Sequence, residues 1–394
     1  MASMYNFDKV IERRGTASVK WDQVETMFGQ ADILPMWVAD MDFEAPPAAI
    51  EAMKERAAHG IFGYTYRSPS YLEAVASWQE RKHQWSFDQS WIVGCPGVVT
   101  ALSILVELLT EPGDNVMIQV PVYHPFYRII SSHGRNIVAN QLVLTESGRY
   151  ELDLAEMERQ IIEDKVKILI LCHPHNPVGR VWTKEELTEI GNLCVKHGVF
   201  VLSDEIHGDI VYKGHKHIPF ASLSDAIAKQ TVACIAPSKT FNIAGLHSSL
   251  AIIADPELRE RFNFRLQTFA ISMENCFAQV AVEACYRQGE QWLEELLAYL
   301  QQNIDDMEQF VANQLPGVKM YRPEGTYLAW FDCREISADP EVLKDLMFNK
   351  ARVAFNEGSM FGAEGAGFLR VNFGTPRSLL LEGLERFEKA LKQK

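Results

Sequence analysis

Seven short apolar runs, rich in β-branched residues, recur through the middle of the chain and are separated by amphipathic segments. The runs cover residues 91–93, 116–120, 137–142, 166–172, 199–203, 231–235 and 249–253. Parallel strands need long crossover connections, usually helices, and are covered on both faces. The alternation therefore predicts an α/β fold with a parallel sheet between two layers of helices. Thr183 and Glu186 have capping-box spacing and predict the start of one such helix, which Gly198 ends.

The remainder of the chain predicts a second, smaller unit. Residues 256–313 contain few helix breakers, which indicates a long helix that leaves the sheet. Strand-like runs then follow at 326–332, 352–355 and 368–373, before a helix that starts at Arg377. A glycine-rich stretch, 358–367, predicts a mobile loop. We therefore divide the chain into an N-terminal segment, 1–50, that packs with the small domain, a large domain, 51–285, and a small α+β domain, 286–394.

Composition and charge narrow the classes of function. The chain has 394 residues, and its formal net charge of −14 disfavours nucleic acid and anionic membrane surfaces as partners. No apolar run reaches the roughly 18 residues of a membrane span, and the first ten residues lack a signal-peptide pattern. The seven cysteines form no CxxC pair, which is typical of reduced thiols. We therefore expect a cytoplasmic protein.

Two histidine pairs could be taken for metal ligands. His173 and His175, like His215 and His217, have i, i+2 spacing, which puts both rings on one side of an extended chain. No third ligand follows at a suitable spacing. We therefore expect no metal site.

Three polar residues lie within four residues after the ends of predicted strands. Asn176, Asp204 and Lys239 come after the runs 166–172, 199–203 and 231–235. In open α/β sheets, ligands bind outside the carboxyl ends of the strands. A lysine there can be a nucleophile or hold a carbonyl compound as an imine, and a buried carboxylate needs a cationic partner such as a protonated heterocycle. The alternatives are an exposed loop lysine, a helix N-cap and a turn asparagine.

Two further positions could bind anions. Gly97 lies between a predicted strand and a helix that starts at Val98, whose N-terminal amides could hold an anionic group. Arg370 is a cation within the apolar run 368–373. It is either one half of a structural ion pair or a fork for a substrate carboxylate.

The order of these residues along the chain forms a known pattern. Its members are Asn176-Pro177-x-Gly179, Asp204-Glu205, Ser238-Lys239 and Arg370. Over nearly its whole length, the chain resembles the fold-type I pyridoxal-phosphate enzymes of the class I/II aminotransferase superfamily. The resemblance implies the fold of aspartate aminotransferase. In that fold a large domain has a mixed, mostly parallel seven-stranded sheet between helices, and a smaller α+β domain follows. It also implies pyridoxal 5′-phosphate as the cofactor, bound by the large domain.

The resemblance narrows at four segments, which are 35–43, 63–65, 203–207 and 238–246. These segments are similar to the MalY/PatB type of cystathionine β-lyase, also called C–S lyase. His207 and His247 stand where many aminotransferases of this fold carry a tyrosine and an arginine. Both departures fit the lyase subgroup better.

The resemblance implies a role for each residue of the pattern. Lys239, the expected catalytic residue, would hold the cofactor as an imine. Asp204 would keep its pyridine nitrogen protonated. Asn176 would donate a hydrogen bond to the ring hydroxyl, and Arg370 would bind the α-carboxylate of the substrate.

Further cofactor contacts are implied in the same way. They are the amides of Val98 and Val99 and the hydroxyl of Ser238 at the phosphate, Tyr123 stacked on the ring, and His207. Tyr64 would reach the phosphate from a neighbouring subunit, which implies a homodimer with its sites at the interface. Asp40, with Tyr123 and Tyr64, is assigned to the substrate side. Without the resemblance, Tyr123 and Tyr64 are ordinary core and loop tyrosines.

The implied activity is α,β-elimination of L-cystathionine, or of related cysteine S-conjugates, to a thiol, pyruvate and ammonia. With cystathionine the thiol is homocysteine, which would place the protein in methionine and cysteine metabolism. An aminotransferase is the alternative, and the residues above do not separate the two reactions. A second alternative is an additional regulatory role, because some members of this subgroup also bind a transcriptional activator protein.

Overall fold

The structure, a computed structural model, describes residues 4–393. Its largest element is a seven-stranded sheet with the spatial order Ile92–Cys95, Ser249–Ile253, Thr231–Ile235, Phe200–Asp204, Val166–Cys172, Asn115–Val120 and Asn136–Gln141. Ser249–Ile253 runs antiparallel to both of its neighbours, and the other neighbouring pairs are parallel. The seven predicted strands and the mixed, mostly parallel sheet are confirmed.

Helices cover both faces of this sheet, so its central strands are buried at nearly every residue. In Val166–Cys172, Ile168 and Ile170 pack into one apolar cluster, whereas Leu169 and Leu171 pack into another on the opposite face. This division follows from the period of two in a strand. The helices around the sheet are Pro47–His59, Pro69–His83, Val98–Leu109, Pro125–Ser132, Leu154–Glu163, Lys184–His197, Asp225–Lys229, Pro237–Thr240, Pro256–Thr268 and Cys276–Gln288.

The helix boundaries can be compared with the helix starts and ends that the sequence predicts. The capping box of Thr183 and Glu186 is formed, and Gly198 ends that helix with a φ of +68°. The predicted helical stretch 256–313 is divided into three helices, of which Glu290–Gln314 leads to the second sheet. The divisions fall near Ala270, which has a positive φ, and at Gly289. Among residues 4–393, no helix has the length and apolar character needed to cross a membrane.

A smaller antiparallel sheet forms the second unit. Its spatial order is Lys319–Tyr321, Leu328–Asp332, Phe368–Asn372 and Asn356–Glu357. Pro340–Lys344, a π-helical turn at Asp345–Ala351 and the C-terminal helix Arg377–Lys392 accompany it. The predicted strands at 326–332 and 368–373 and the final helix are therefore present.

Part of the N-terminal segment pairs with residues of this second unit. Leu34–Pro35 pairs in parallel with Val353–Ala354, which lies in the predicted run 352–355. Two short helices, Val19–Asp22 and Val24–Phe28, precede it. Residues 1–3 lie outside the described residues, and the proposed domain limits stay a prediction.

The glycine-rich stretch 358–367 differs from the predicted loop. It forms two 3-10 turns, Gly358–Phe361 and Ala363–Gly365, and Phe361 is completely buried. The remaining short elements are the 3-10 turns Gln89–Trp91, Phe220–Ser222 and Ala244–Leu246 and the strand pair Val143–Leu144 with Tyr150–Glu151.

Candidate active site

A cavity of about 350 Å³ opens at one edge of the large sheet. Cys172 and Asp204 end their parallel strands there, and Gly97 and Lys239 follow two others. Eight of the predicted site residues line this cavity: Val98, Val99, Tyr123, Asn176, Asp204, His207, Ser238 and Lys239. The topology therefore brings together residues that are far apart in the sequence, as the rule for open α/β sheets predicts.

Lys239 lies in the short helix Pro237–Thr240, immediately after a central strand. Its Nζ donates a hydrogen bond of 2.5 Å to the carbonyl of Ala39. Burial lowers the pKa of Lys239 to about 8, which Asp40 partly opposes. A much larger fraction of Lys239 is therefore in the neutral, nucleophilic form near pH 7 than of an exposed lysine.

Asp204 is buried at the end of its strand. One carboxylate oxygen accepts a hydrogen bond of 3.2 Å from the amide of Ile206. Burial raises the pKa of Asp204 to about 7, because no ion pair compensates its charge within the described part of the chain. A cationic ligand group beside it would favour the ionised carboxylate.

Arg370 is buried among neutral acceptors. Nη1 donates to Asn176 Oδ1 at 3.1 Å, and Nη2 donates to the carbonyl of Trp37 and to Asn356 Oδ1, both at 2.7 Å. Burial lowers the pKa of Arg370 to about 10, and its Nε has no partner. The structural ion pair that the sequence allowed is not formed among residues 4–393, which leaves the guanidinium available for an anion.

The helix Val98–Leu109 points its N-terminus at the cavity. Gly97 precedes it with a φ of +120°, a conformation that favours glycine, and no side chain caps the helix. Helix N-termini attract anions through their unpaired amides and the helix dipole. Ser238 and His247 line the same cavity. This end can therefore hold a phosphate.

His207 lines the cavity, and its ring lies 5.8 Å from that of Tyr327. Burial, and then the positive charges of Lys239 and Arg370, lower the pKa of His207 to about 3. The ring is therefore neutral near pH 7. Its Nδ1 is buried without a hydrogen-bond partner.

Two predicted residues are placed differently. Tyr64 is 97% exposed and does not line the cavity of its own chain. The Asp40 carboxylate is paired with Arg13 at 2.8 Å, although its neighbour Ala39 lines the cavity. Their assigned roles stay predictions. Among residues 4–393, no cluster of three or more histidine, cysteine or acidic side chains is arranged to hold a metal.

Sequence reasoning missed the parts of the site that belong to the backbone or to turns. The carbonyl of Ala39 also accepts a hydrogen bond of 2.9 Å from Tyr327 Oη. Thr326 has a φ of +67°, so the predicted strand 326–332 begins two residues late and leaves Tyr327 outside it. The similarity of residues 35–43 to the lyases was the one signal that marked Ala39.

The residues fit pyridoxal phosphate. Its phosphate matches the uncapped helix N-terminus, its aldehyde matches the Lys239 amine, and its pyridine nitrogen matches the desolvated Asp204. Buried polar atoms normally have partners, and two here, His207 Nδ1 and Arg370 Nε, have none from the protein.

The sequence matches the family described as "Aminotransferase class I and II" over residues 31–387. The chain belongs to this family. Within the class I and II aminotransferase family, one relative is the cystathionine beta-lyase PatB of Bacillus subtilis, strain 168. It is 47% identical over 386 residues, which cover 98% of this chain and 100% of the relative. The resemblance inferred from the sequence is confirmed.

Solved structures of family members agree with this placement. The PLP-bound putative aminotransferase of Clostridium difficile 630 superposes with a TM-score of 0.96 at 44% identity, over 98% of this chain and 100% of that one. The PLP-bound C-S lyase of Staphylococcus hominis superposes with a TM-score of 0.92 at 32% identity, over 99% of both chains. The predicted fold is therefore confirmed, and both of these family members bind the cofactor that was expected.

Proposed function

We propose that this chain is a pyridoxal-phosphate-dependent carbon–sulfur lyase. Its reaction is α,β-elimination of L-cystathionine and related cysteine S-conjugates, which with one water yields a thiol, pyruvate and ammonia. The observation that carries the proposal is the 47% identity, across essentially the whole of both chains, to a protein named cystathionine beta-lyase. One cavity of this chain also joins an amine, a buried carboxylate and, through Asn176, a buried guanidinium.

Arg370 is the group that would bind the substrate's α-carboxylate. Its buried guanidinium has only neutral acceptors, so a carboxylate would supply the missing negative charge. Asn176 and Asn356 each accept one of its hydrogen bonds and fix the orientation of the fork. The amino acid would therefore be oriented by the end that all α-amino acids share.

Lys239 is the group that would remove the proton from the substrate's Cα. A general base works best when its pKa lies near the working pH, and burial lowers the pKa of Lys239 to about 8. Bound pyridoxal phosphate supplies the electron sink that makes this proton removable and lets the Cβ–S bond break. The carbonyl of Ala39 fixes the position of the amine.

Asp204 and His207 would set the charge around the cofactor ring. Asp204 can neutralise a protonated ring nitrogen, and that cation would in turn favour its carboxylate form. His207 stays neutral, because burial lowers its pKa to about 3. It can therefore take part in a hydrogen bond without adding a second positive charge to the site.

The test is incubation of the purified, cofactor-loaded protein with L-cystathionine in the absence of any keto acid. We expect pyruvate and free thiol in equal amounts. Lys239→Ala should yield neither product. Wild-type protein that binds the cofactor but forms neither product would contradict the proposal.

An aminotransferase activity is the second candidate. It is favoured by the family description and by the name of the similar Clostridium difficile structure, a putative aminotransferase. In that case amino-group transfer would occur only when a keto acid is added. The same incubation, repeated with and without pyruvate or 2-oxoglutarate, separates the two reactions.

We also infer that two copies of the chain pair through segment 61–66. Four apolar side chains there are strongly exposed: Ile61, Phe62, Tyr64 and Tyr66. The base of the segment is anchored, because Thr65 bridges to Glu274 and Arg67 pairs with Glu274 at 3.0 Å. Apolar side chains held in solvent on a fixed base are typical of a protein interface.

Light scattering tests this pairing, and a mass of two chains is expected. Tyr64→Ala should keep that mass but weaken cofactor retention if Tyr64 reaches the partner's cavity. A wild-type mass of one chain would contradict the inference.

Two remaining predictions concern the cell rather than the reaction. We place the protein in the cytoplasm, where thiols stay reduced, because its seven cysteines are all free. A regulatory protein partner stays a prediction. It would be supported by a pull-down in which Lys239→Ala captures the partner as well as wild type does.

A further inference from the structure

A strap of six residues, 37–42, runs along the cavity. The carbonyl of Trp37 accepts a hydrogen bond of 2.7 Å from Arg370 Nη2. The carbonyl of Ala39 accepts one of 2.5 Å from Lys239 Nζ. The strap backbone therefore contacts both of the groups that the proposed function directs at the substrate.

An N-terminal arm, residues 13–21, holds the strap by charge. Arg13 pairs with Asp40 at 2.8 Å and with Asp42 at 2.7 Å. Lys20 pairs with Asp42 at 2.6 Å. Both acidic residues belong to the strap, so two cations of the arm are tied to two carboxylates beside Ala39.

The ion pair between Lys20 and Asp42 is buried. The side chain of Lys20 is completely inaccessible, and that of Asp42 is 2% exposed. The indole N–H of Trp21 donates a further hydrogen bond of 2.9 Å to Asp42. Removal of one partner from a buried ion pair strongly destabilises the folded protein, whereas an exposed ion pair contributes little to stability. The position of the strap is therefore tied to the arm.

Asn242 holds the strap at a second point. Asn242, three residues after Lys239, accepts a hydrogen bond from the amide of Met41 at 3.0 Å and donates one to its carbonyl at 2.9 Å. The family match begins at residue 31, so it includes the strap and Asn242 but not the arm.

We propose that Arg13 and Lys20 are positioning residues, which hold the strap so that its carbonyls keep the Lys239 amine and the Arg370 guanidinium in place. Neither cation lines the cavity, so both act through Asp40 and Asp42. The effect on catalysis rests on the proposed function. The restraint of the strap by the arm does not, and it can be measured separately.

The test compares wild type with Arg13→Gln, which removes both ion pairs of this residue and keeps a polar side chain. Hydrogen exchange of the strap amides, followed by mass spectrometry, should become faster. The kcat/KM for C–S cleavage should fall about tenfold, since a displacement of about 1 Å can cost up to about 100-fold. Arg13→Lys restores the charge but not the fork, and it should regain part of both losses.

Lys9→Gln is the matched control. It also removes an N-terminal cation that pairs with a carboxylate next to the strap, Glu44 at 2.8 Å, but this pair is exposed. We expect no change in strap exchange or in kcat/KM. Equal strap exchange in wild type and Arg13→Gln would overturn the proposal, as would equal losses in the control.

The exchange measurement also separates this inference from the proposed function. A wild type without lyase activity would contradict the function, while strap exchange would still decide the role of the arm. If Arg13→Gln does not fold, Trp21→Phe removes the indole hydrogen bond to Asp42 together with part of a buried ring. A smaller increase in strap exchange is then expected, and no increase would overturn the proposal.

Discussion

Two groups of buried charges lie side by side in this chain and are built in opposite ways. In and beside the cavity, Lys239, Asp204 and Arg370 form no ion pair with any residue from 4 to 393. Burial moves the pKa of each toward its neutral form, to about 8, 7 and 10. The protein therefore keeps three ionisable groups desolvated and without a direct ion-pair partner among the described residues.

In the arm and the strap, by contrast, the buried charges are paired with opposite charges. Arg13 and Lys20 are fully engaged with Asp40 and Asp42. Burial opposes the ionisation of Asp42, but Lys20 outweighs it, with Trp21 and Arg13, and the pKa of Asp42 is lowered. The Asp42 carboxylate is thus held in its charged form.

A ligand site and a structural network can both consist of buried charges, and ion pairing distinguishes the two. Unpaired buried charges cost folding free energy and are retained where a ligand supplies the missing partner. Paired buried charges fix geometry and leave no capacity for a ligand. Substitutions in the two groups should therefore have opposite effects on stability.

The largest expected effect is that of Lys239→Ala. Loss of the amine removes both the covalent link to the cofactor and the base at Cα, and loss of a general base alone costs about 10²–10⁴-fold in rate. Pyruvate formation should fall below detection, and the visible absorbance of bound pyridoxal phosphate should disappear. Lys229→Ala, at an exposed lysine ten residues earlier, should change neither measurement. A yellow, active Lys239→Ala protein would contradict the assignment of Lys239 to the ligand site.

Asp42→Asn should give the largest loss of stability. It leaves Lys20 buried without its counter-charge, which costs about 3–5 kcal/mol in comparable pairs. Urea unfolding at pH 7 would measure the loss. Because the folded-state pKa of Asp42 is lowered, its stabilisation is present above the unfolded pKa of about 3.9 and is lost as pH falls through the folded value. The difference from wild type should therefore shrink below pH about 4.

Asp204→Asn should do the opposite in the cofactor-free protein. Burial raises the pKa of Asp204 to about 7, so the wild type loses stability as pH rises from the unfolded pKa of about 3.9 to that value. The variant lacks this cost and should be more stable above pH 7, by up to about 4 kcal/mol. Thermal unfolding at pH 5 and pH 8 would measure the gain.

The loaded protein supplies the contrast for Asp204. There the variant should retain pyridoxal phosphate less tightly, because it cannot compensate a protonated ring nitrogen. Lower stability of the cofactor-free variant at pH 8 would mean that Asp204 is paired in a way that resembles the strap.

The two groups also differ in how far the sequence revealed them. Asn176, Asp204 and Lys239 could be predicted because each follows an apolar run, and parallel strands carry such positions to one edge of a sheet. Lys20 and Asp42 gave no such signal, since charged residues in a short N-terminal segment are usually exposed. Only the fold shows that both are buried and in contact.

Other parts of the site were unpredictable for a different reason. Ala39 acts through its carbonyl, and a backbone group has no residue type by which it could be recognised. Tyr64 lies in solvent in the single chain, so its predicted role depends on a second copy. Phe361 lies in a stretch whose glycines predicted a mobile loop, yet its ring packs 4.8 Å from the Arg370 guanidinium carbon.

The smallest expected effect is at His247, which lines the cavity near Ser238 and the helix N-terminus. The resemblance implies arginine at this position in many aminotransferases of this fold, and an imidazole supplies less positive charge to a phosphate than a guanidinium does. His247→Arg should therefore lower the Kd for pyridoxal phosphate about tenfold, since a charge-assisted hydrogen bond is worth about 1.5 kcal/mol or more. His247 has a φ of +53°, and arginine meets the same backbone constraint.

Titration of cofactor absorbance at two salt concentrations would measure this effect, and the gain should be smaller at high salt. His247→Gln, which is neutral, should bind the cofactor about as tightly as wild type. Tighter retention in wild type than in His247→Arg would mean that the helix amides and Ser238 already satisfy the phosphate. In that case the missing counter-charges of the cavity would be confined to its ring and substrate ends, around Asp204 and Arg370.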